Sequence, residues 1–215
     1  MLSKKLILLA LIISTVSVYA QRIGTTIVEK PSEDFPNNSY GLDLLFGEGG
    51  FGLGTFYRYN FADSYTGFVD FSISESKDQR EFEYIDYWGQ SIVIGKKNRV
   101  LTLPFNFGVQ YRLFKNDISD NLRPYLSAAV GPDLIISTPY EMEFFSSFKK
   151  AKTKIALGGY VGLGADFGLS KSNLVGISFR YSFAKLFDEG VENLQGKFRK
   201  NLSSFYVILN IGLMF

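Results

Sequence analysis

The last eleven residues of the chain, FYVILNIGLMF (205–215), alternate between two sets of side chains. One set is mixed and includes Asn210 and Gly212, whereas the other is entirely apolar and consists of Phe205, Val207, Leu209, Ile211, Leu213 and Phe215. A period of two residues is typical of a β-strand, because successive side chains point to opposite faces of a sheet. The segment therefore predicts a strand with one wholly apolar face that ends on an aromatic residue.

The same period recurs along the chain after residue 38. Most of these segments are longer than the strands of a soluble sheet, which have about 5–6 residues, and reach the roughly 9–11 residues that a tilted strand needs to cross a bilayer. The eight predicted strands are 39–47, 51–61, 64–76, 99–114, 122–136, 154–168, 173–186 and 202–215.

The connections between these strands alternate in length. Short polar turns (FADS, KNDISDN and SKSN) alternate with long segments at 77–98, 137–153 and 187–201, and only the first connection, GEGG at 47–50, departs from the pattern. Short turns on one side and long loops on the other are typical of an up-and-down membrane barrel. The segment 81–95 also predicts a hairpin, but its arms are too short to span, and we interpret it as an extension of the wall above the membrane.

The second face of each strand distinguishes a membrane barrel from a soluble sheet. In 99–114 this face contains Asn106, Gly108, Gln110 and Arg112 but no lysine, whereas a soluble surface is rich in lysine and glutamate. Glycine and uncharged polar side chains suit a narrow lumen, and a closed sheet leaves no peptide group unpaired in lipid. The sequence therefore predicts an all-β, eight-stranded antiparallel up-and-down transmembrane β-barrel over 39–215; a secreted soluble barrel of lipocalin type is the alternative.

The N-terminal residues predict export. Residues 1–20 carry Lys4 and Lys5, an apolar run from 6 to 13, and small residues at the two positions read by a signal peptidase in Val18-Tyr19-Ala20. These features predict a signal peptide that is cleaved before Gln21. We interpret 21–38 as a periplasmic N-terminal segment.

Composition argues against several classes of function. The chain has no cysteine and no histidine, so it lacks disulfides, thiolate metal sites and the commonest general base. Ser146, Ser147, Ser203 and Ser204 therefore have no histidine to activate them, and we expect neither an enzyme nor a cofactor. Without the predicted signal peptide, 21 basic residues face 21 acidic residues, a balance that gives no reason to expect a nucleic-acid partner.

The final strand resembles the C-terminal signal of bacterial outer-membrane β-barrel proteins, and NLRPYLSAAVGPDL (121–134) is similar to a strand that is common in the small members of this group. The chain from 39 to 215 thus resembles the small outer-membrane barrel family, akin to OmpX and the barrel domain of OmpA. The resemblance implies an outer-membrane location and recognition of the final strand's apolar face by the barrel-insertion machinery. It implies little about activity.

Six charged residues fall on the predicted lumen face: Asp43, Arg58, Asp70, Arg112, Asp166 and Arg180. A lone buried charge is costly, so we expect opposite signs at one level to pair. The favoured interpretation is a structural plug, since eight strands enclose an interior just wide enough for side chains to fill. The alternative is a gated or selective pore.

Three groups of basic residues recur where the long loops re-enter a strand. At the level of the lipid headgroups they could contact the phosphates of lipopolysaccharide, although a solvated rim is the simpler interpretation. The groups are Lys96, Lys97 and Arg99; Lys149, Lys150, Lys152 and Lys154; and Lys197, Arg199 and Lys200.

The leading functional hypothesis is a non-enzymatic outer-membrane barrel with a structural role, or an interaction role in which the long loops bind a protein partner. PYEMEFFSSFKK (139–150) sets three phenylalanines at helical spacing and predicts a short surface helix or a loop that contacts a partner. A narrow channel or a carrier for a small apolar ligand is the second hypothesis.

Overall fold

The computed structural model describes residues 36–78, 80–85, 87, 89, 91–115, 118, 122–167 and 172–215. The predicted signal peptide (1–20) and nearly all of the predicted periplasmic segment (21–38) lie outside these residues. Both therefore remain predictions from the sequence.

Eight long strands close into one antiparallel barrel, as predicted. In chain order the strands of the structure are β1 (Asn38–Gly47), β2 (Gly50–Ala62), β3 (Tyr65–Glu75), β4 (Glu83–Ile85), β5 (Ser91–Val93), β6 (Asn98–Arg112), β7 (Leu122–Pro139), β8 (Lys152–Phe167), β9 (Asn173–Leu186), β10 (Val191–Leu194), β11 (Lys197–Arg199) and β12 (Asn201–Met214). The order around the barrel is β1-β12-β9-β8-β7-β6-β3-β2.

The first and last strands of the barrel pair with each other and close the sheet. Asp43 lies opposite Asn210 in this register. The backbone N–H of Asn38 donates to the carbonyl of Phe215 at 3.1 Å, and the N–H of Phe215 donates back at 3.0 Å. Closure leaves neither strand with an open edge, which explains how β12 can do without charged protection along its length.

The wall on the long-loop side is taller than the sequence pattern predicts. β7 continues to Pro139 and β8 begins at Lys152, so the two strands stay paired for longer than the predicted bounds of 136 and 154. Inside this part of the wall Val100, Ile135 and Ala156 form an apolar cluster with four other buried residues. The burial of this cluster stabilises the pairing of β7 with β8 next to the added strand residues, 137–139 and 152–153.

The long connections carry small elements of their own. β4 and β5 form a separate two-stranded sheet with Glu83 opposite Val93, which is the predicted hairpin, although it is not hydrogen-bonded to the barrel sheet. β10 pairs with β11 in the same way. The connection between β7 and β8 contains α1 (Phe144–Ser147) and a 3₁₀ turn (Phe148–Lys150). Among the described residues, no helix has the length and apolarity to cross a membrane.

The two faces of the barrel wall differ as the period of two predicts. Apolar side chains cover the outside, among them Leu42 at 60% exposed and Phe107 at 52%. Aromatic pairs lie at both ends of this surface, with Tyr65 and Tyr111 near the short turns and Phe46 and Phe51 near the long loops. The outside is therefore an apolar band bounded by aromatic side chains.

Glycines on the inner face make room for large side chains. A Cβ atom at Gly108 would lie 2.2 Å from Cζ of Phe68, and one at Gly164 would lie 2.7 Å from the ring of Tyr125. Both distances are shorter than any tolerated contact. The lumen is thus filled by large side chains, each of which lies over a glycine at the paired position of the neighbouring strand.

Candidate functional site

Two ion pairs cross the lumen. Arg58 on β2 donates from Nη1 to Oδ2 of Asp166 on β8 at 2.9 Å, and the two strands are four positions apart in the closed order of eight. The guanidinium carbon of Arg58 also lies 4.2 Å from the centre of the Phe56 ring. This pair therefore joins opposite walls of the barrel beside an aromatic side chain.

Arg180 on β9 holds a second, larger cluster. Its Nη2 lies 2.9 Å from Oδ2 of Asp43, and its Nη1 lies 3.3 Å from Oδ2 of Asp70 on β3. β9 and β3 are again four positions apart around the barrel. All three side chains are buried, so the cluster forms a second connection between opposite walls.

Neutral groups complete the hydrogen bonds of the two carboxylates. The hydroxyl of Tyr160 donates to Asp70 at 2.6 Å, and the amide of Asn106 donates to its other oxygen at 2.9 Å. The amide of Asn210 donates to Asp43. Buried charge is tolerated when it is both paired and hydrogen-bonded, and this cluster meets both conditions.

Of the six predicted lumen residues, five lie in these two clusters and Arg112 does not. Arg112 is half-buried near the short turns, and its Nε has no hydrogen-bond partner among the described residues. It lies at the turn end of β6, where Arg123 is close enough for the two charges to repel. Counting residues from the turn placed Arg112 too deep, because the stagger of a barrel shifts neighbouring strands relative to each other.

A small cavity with a mixed polar and apolar wall, which we call the upper chamber, lies in the lumen on the long-loop side of the Asp70 cluster. Its cavity volume is about 40 Å³, measured as the space that the centre of a water molecule can occupy. The hydroxyl of Ser74 lies 3.1 Å from that of Thr102 and 2.9 Å from that of Tyr206. Polar residues on its wall also include Ser72, Ser76, Asn106, Asp133, Ser182, Ser203 and Ser204.

The long loops fold over the end of the barrel around a second set of charges, which we call the loop cap. The ammonium of Lys96 lies 3.0 Å from carboxylate oxygens of Glu75 and Glu81. Burial acts against the charge on Lys96, but the two glutamates outweigh burial, so the pKa of Lys96 is raised above its ordinary value.

Asp78 forms the other half of the loop cap. Its carboxylate lies 2.8 Å from Nη2 of Arg80 and 3.6 Å from Nε of Arg199. Burial acts to raise the pKa of Asp78, but the hydrogen bonds from Arg80 and the charge of Arg199 hold it below its ordinary value. Arg199 also donates to the carbonyl of Lys77 at 3.0 Å, so the loops after β3 and β9 are tied together.

The structure divides the ten predicted lipopolysaccharide contacts into two kinds. Five have partners within the chain: Lys96 and Arg199 in the loop cap, Lys97 on Glu192 at 2.6 Å, Lys154 on Asp188 at 2.7 Å, and Arg99 on the carbonyl of Met142 at 3.0 Å. The other five are exposed and form no ion pair within the described part of the chain: Lys149, Lys150, Lys152, Lys197 and Lys200.

The apolar set of the final strand faces outward. Phe205, Val207, Ile211, Leu213 and Phe215 are between 37% and 58% exposed, and Leu209 is half-buried. The whole predicted insertion signal thus lies on the outer surface of β12, next to β1 and β9.

Sequence reasoning did not identify the loop cap or the role of Tyr160. Glu75 ends β3, and Asp78 and Glu81 are scattered in the connection that follows; only folding brings these acidic residues to Lys96 and Arg199. Tyr160 did carry a signal, because it is the one large aromatic on the glycine-rich face of β8. Across the described residues, no three side chains among His, Cys, Asp and Glu are placed to hold a metal ion.

Comparison with known proteins gives a match to the fold but none to the sequence. No protein-family model matches the chain, and no curated protein does. Neisserial surface protein A has a similar structure with a TM-score of 0.54; the match is 12% identical and covers 85% of this chain and 100% of that one. The fold is that of a small outer-membrane β-barrel.

Two other solved barrels align over a similar length. The N-terminal β-barrel domain of Pseudomonas aeruginosa OprF aligns with a TM-score of 0.46, 12% identity and coverage of 85% of this chain and 100% of that one. Ail, the attachment invasion locus protein of Yersinia pestis, aligns with a TM-score of 0.43, 14% identity and coverage of 83% and 96%.

Proposed function

We propose that the chain is an integral outer-membrane protein whose role is structural or adhesive rather than catalytic. The observation that carries this proposal is the continuous apolar outside of a closed barrel. The charged residues of the described barrel strands point into the lumen or, like Lys185 on β9, lie near the strand ends. A continuous surface of so many large apolar side chains is unfavourable in water, whereas it is favourable in contact with the acyl chains of lipids. The aromatic pairs at both ends of the band suit the two membrane interfaces.

The lumen supports a structural plug over a channel. Both ion pairs join opposite walls, and their side chains are buried together with Phe56, Phe68 and Tyr160. An ion that crossed the lumen would have to separate buried, hydrogen-bonded charges, which is strongly unfavourable. A carrier for a small apolar ligand is also disfavoured, because the upper chamber has room for only a few water molecules.

The interaction role rests on the long-loop side. Three exposed lysines, Lys149, Lys150 and Lys152, follow α1 in the chain and form no ion pair among the described residues. In α1 and the turn after it, the ring of Phe144 contacts those of Phe145 and Phe148 edge-on, each with ring centres 5.3 Å apart. Ammonium groups beside exposed aromatic rings suit a surface that carries phosphate groups above acyl chains. We therefore assign lipopolysaccharide, or a protein partner at the same loops, to this surface.

An envelope fractionation tests the location. The protein expressed with residues 1–20 should remain in the outer-membrane pellet after alkaline carbonate, and it should migrate faster on a gel when unheated than when boiled. Recovery in the soluble fraction without detergent would contradict the proposal and would favour the secreted barrel.

A binding measurement tests the loop role. Replacing Lys149, Lys150 and Lys152 together by Gln should weaken binding of purified lipopolysaccharide to the barrel in detergent. Replacing Lys96, Lys154 and Arg199 together is not a suitable control, since these residues hold the loops; Lys115→Gln, at the opposite end of the barrel, is the matched control. Equal binding by the triple variant and the native protein would remove the lipopolysaccharide assignment.

A further inference from the structure

The upper chamber contains two buried oxygen atoms that lack a donor. Oδ1 of Asp133 and Oδ1 of Asn106 are both buried and have no hydrogen-bond partner among the described residues. Asp133 is 5% exposed and Asn106 is 3% exposed, and both line the chamber. Buried acceptors of this kind are rare in folded proteins and call for a ligand or an ordered water.

The orientation of the Asn106 amide follows from its neighbour. The carboxylate of Asp70 accepts the hydrogen bond, so the NH₂ group of Asn106 must point at Asp70 and its carbonyl oxygen must point the other way. Asp133 on β7 lies opposite Pro104 on β6, which puts it one inward-facing position from Asn106. The two free oxygens thus belong to neighbouring positions on one wall of the chamber.

Asp133 also has no cation of its own. The backbone N–H of Leu103 donates to its carboxylate, but no ion pair to Asp133 forms within the described part of the chain. In the cluster below, Asp43 and Asp70 share the charge of Arg180, whereas Arg112 lies at the far, short-turn end of β6. A buried charge without a counter-charge is costly, so this part of the lumen favours a positive ligand.

The ligands around the chamber suit a hard cation. Beside apolar groups such as Leu45 and Phe183, the wall presents a carboxylate, an amide carbonyl and the hydroxyl groups of serine, threonine and tyrosine. These are oxygen donors of the kind that Na⁺, Ca²⁺ and Mg²⁺ accept. A cavity needs about 10–15 Å³, measured in the same way as the 40 Å³ of the upper chamber, to hold one water molecule. The chamber therefore has room for a cation with one or two waters.

We propose that the upper chamber binds one small metal cation through Asp133, the carbonyl of Asn106 and the surrounding hydroxyl groups. The cation neutralises the buried carboxylate of Asp133 and joins β6 and β7 to β3 at the level where the proline at 104 removes a ladder hydrogen bond. This site is independent of the proposed role of the loops.

The experiment uses the full barrel, refolded in detergent and freed of metal by chelation. Binding is measured with radioactive Ca²⁺ by equilibrium dialysis and with Na⁺ by the broadening of its nuclear magnetic resonance, each against choline chloride at equal ionic strength. The native protein should bind one equivalent of one of these cations. Asp133→Asn should lose it, whereas Asp63→Asn, which removes an exposed carboxylate in a turn, should retain it.

Two further measurements keep the test decisive. Ser72→Ala removes a wall hydroxyl without removing charge and should weaken cation binding by about tenfold. This variant replaces Asp133→Asn in the binding measurement if Asp133→Asn does not refold. An infrared band of a protonated carboxyl that disappears in Asp133→Asn would show that a proton occupies the place of the cation. That band, or the absence of any bound equivalent in the native protein, would overturn the proposal.

Discussion

Arg58 and Asp166 face each other across the full width of the barrel and meet at 2.9 Å. Their strands, β2 and β8, have three strands between them on either side. A hydrogen-bonded ion pair of this kind acts as a strut, because separating it would expose two charges inside a lumen that offers little water.

Breaking the strut should destabilise the barrel. Arg58→Met leaves the buried carboxylate of Asp166 unpaired and should lower the free energy of unfolding in urea by about 3–5 kcal/mol. The double variant with Asp166→Asn should lose less than the sum of the two single variants. Lys115→Met, which breaks an exposed pair with Asp63, should change little. Additive losses would contradict direct pairing.

The intact barrel should not conduct. Reconstituted into a planar bilayer, the native protein should give no steady ion current, because two buried ion pairs block the lumen. Discrete current steps that change in size when Arg180 is replaced by Ala would instead indicate that ions pass the Asp43 and Asp70 carboxylates, and would support the channel hypothesis.

A charge on the outer wall should be costly, and one in the loops should not. Phe107→Arg introduces a charge into the middle of the apolar band and should lower the free energy of unfolding in lipid vesicles by about 2–4 kcal/mol. Phe187→Arg, at a loop position that is 72% exposed, should change it by less than about 0.5 kcal/mol. Similar costs at both positions would argue against a lipid-facing wall.

The loop cap should loosen in alkali. Because the folded pKa of Lys96 is raised, its stabilising contribution is complete below the ordinary lysine pKa and is lost as the pH rises through the folded value. Protease cleavage within 76–97 should therefore accelerate at alkaline pH. Lys96→Arg stays charged throughout and should suppress the acceleration; an unchanged pH profile in this variant would exclude Lys96 as the cause.

The same cap should also loosen in strong acid, because the pKa of Asp78 is shifted in the opposite direction to that of Lys96. The folded pKa of Asp78 is lowered, so its contribution is present above the ordinary aspartate pKa and is lost as the pH falls through the folded value. Asp78→Asn should remove this acid transition and leave the alkaline one in place.

Removing Phe215 should separate assembly from folding. If the final strand is recognised by the insertion machinery, a chain that lacks Phe215 should assemble poorly in cells but refold in detergent micelles at nearly the native yield. Equal assembly of both chains in cells would show that this aromatic residue carries no signal.

The period of two was enough to predict the strands, their faces and the closed barrel, because alternation depends only on local residue order. It also put Arg58 and Asp166 on the lumen face at a similar distance from a short turn, but it did not specify that these two residues pair with each other. It misplaced Arg112, because the stagger between strands is a property of the closed sheet and not of any one strand.

The charges of the loops could not be assigned in advance for a different reason. Lys96 and Arg199 are indistinguishable in sequence from the exposed Lys149 and Lys197, yet both have acidic partners. Lys96 pairs with Glu75 and Glu81, about 15–20 residues before it, and Arg199 pairs with Asp78 from another connection. Such pairs depend on how two loops fold against one another, and the loops show no periodicity. The sequence also could not predict that Oδ1 of Asp133 lacks a hydrogen-bond donor, because this depends on how the side chains pack in the lumen.

The orientation of the wall can be measured directly, since the chain has no cysteine and any introduced thiol is unique. A fluorophore on Val130→Cys, from the outer face of β7, should be quenched strongly by brominated acyl chains, whereas one on Ser127→Cys, from the inner face of the same strand, should not. Equal quenching at both positions, or none at Val130→Cys in a refolded barrel, would contradict an outer wall that faces lipid.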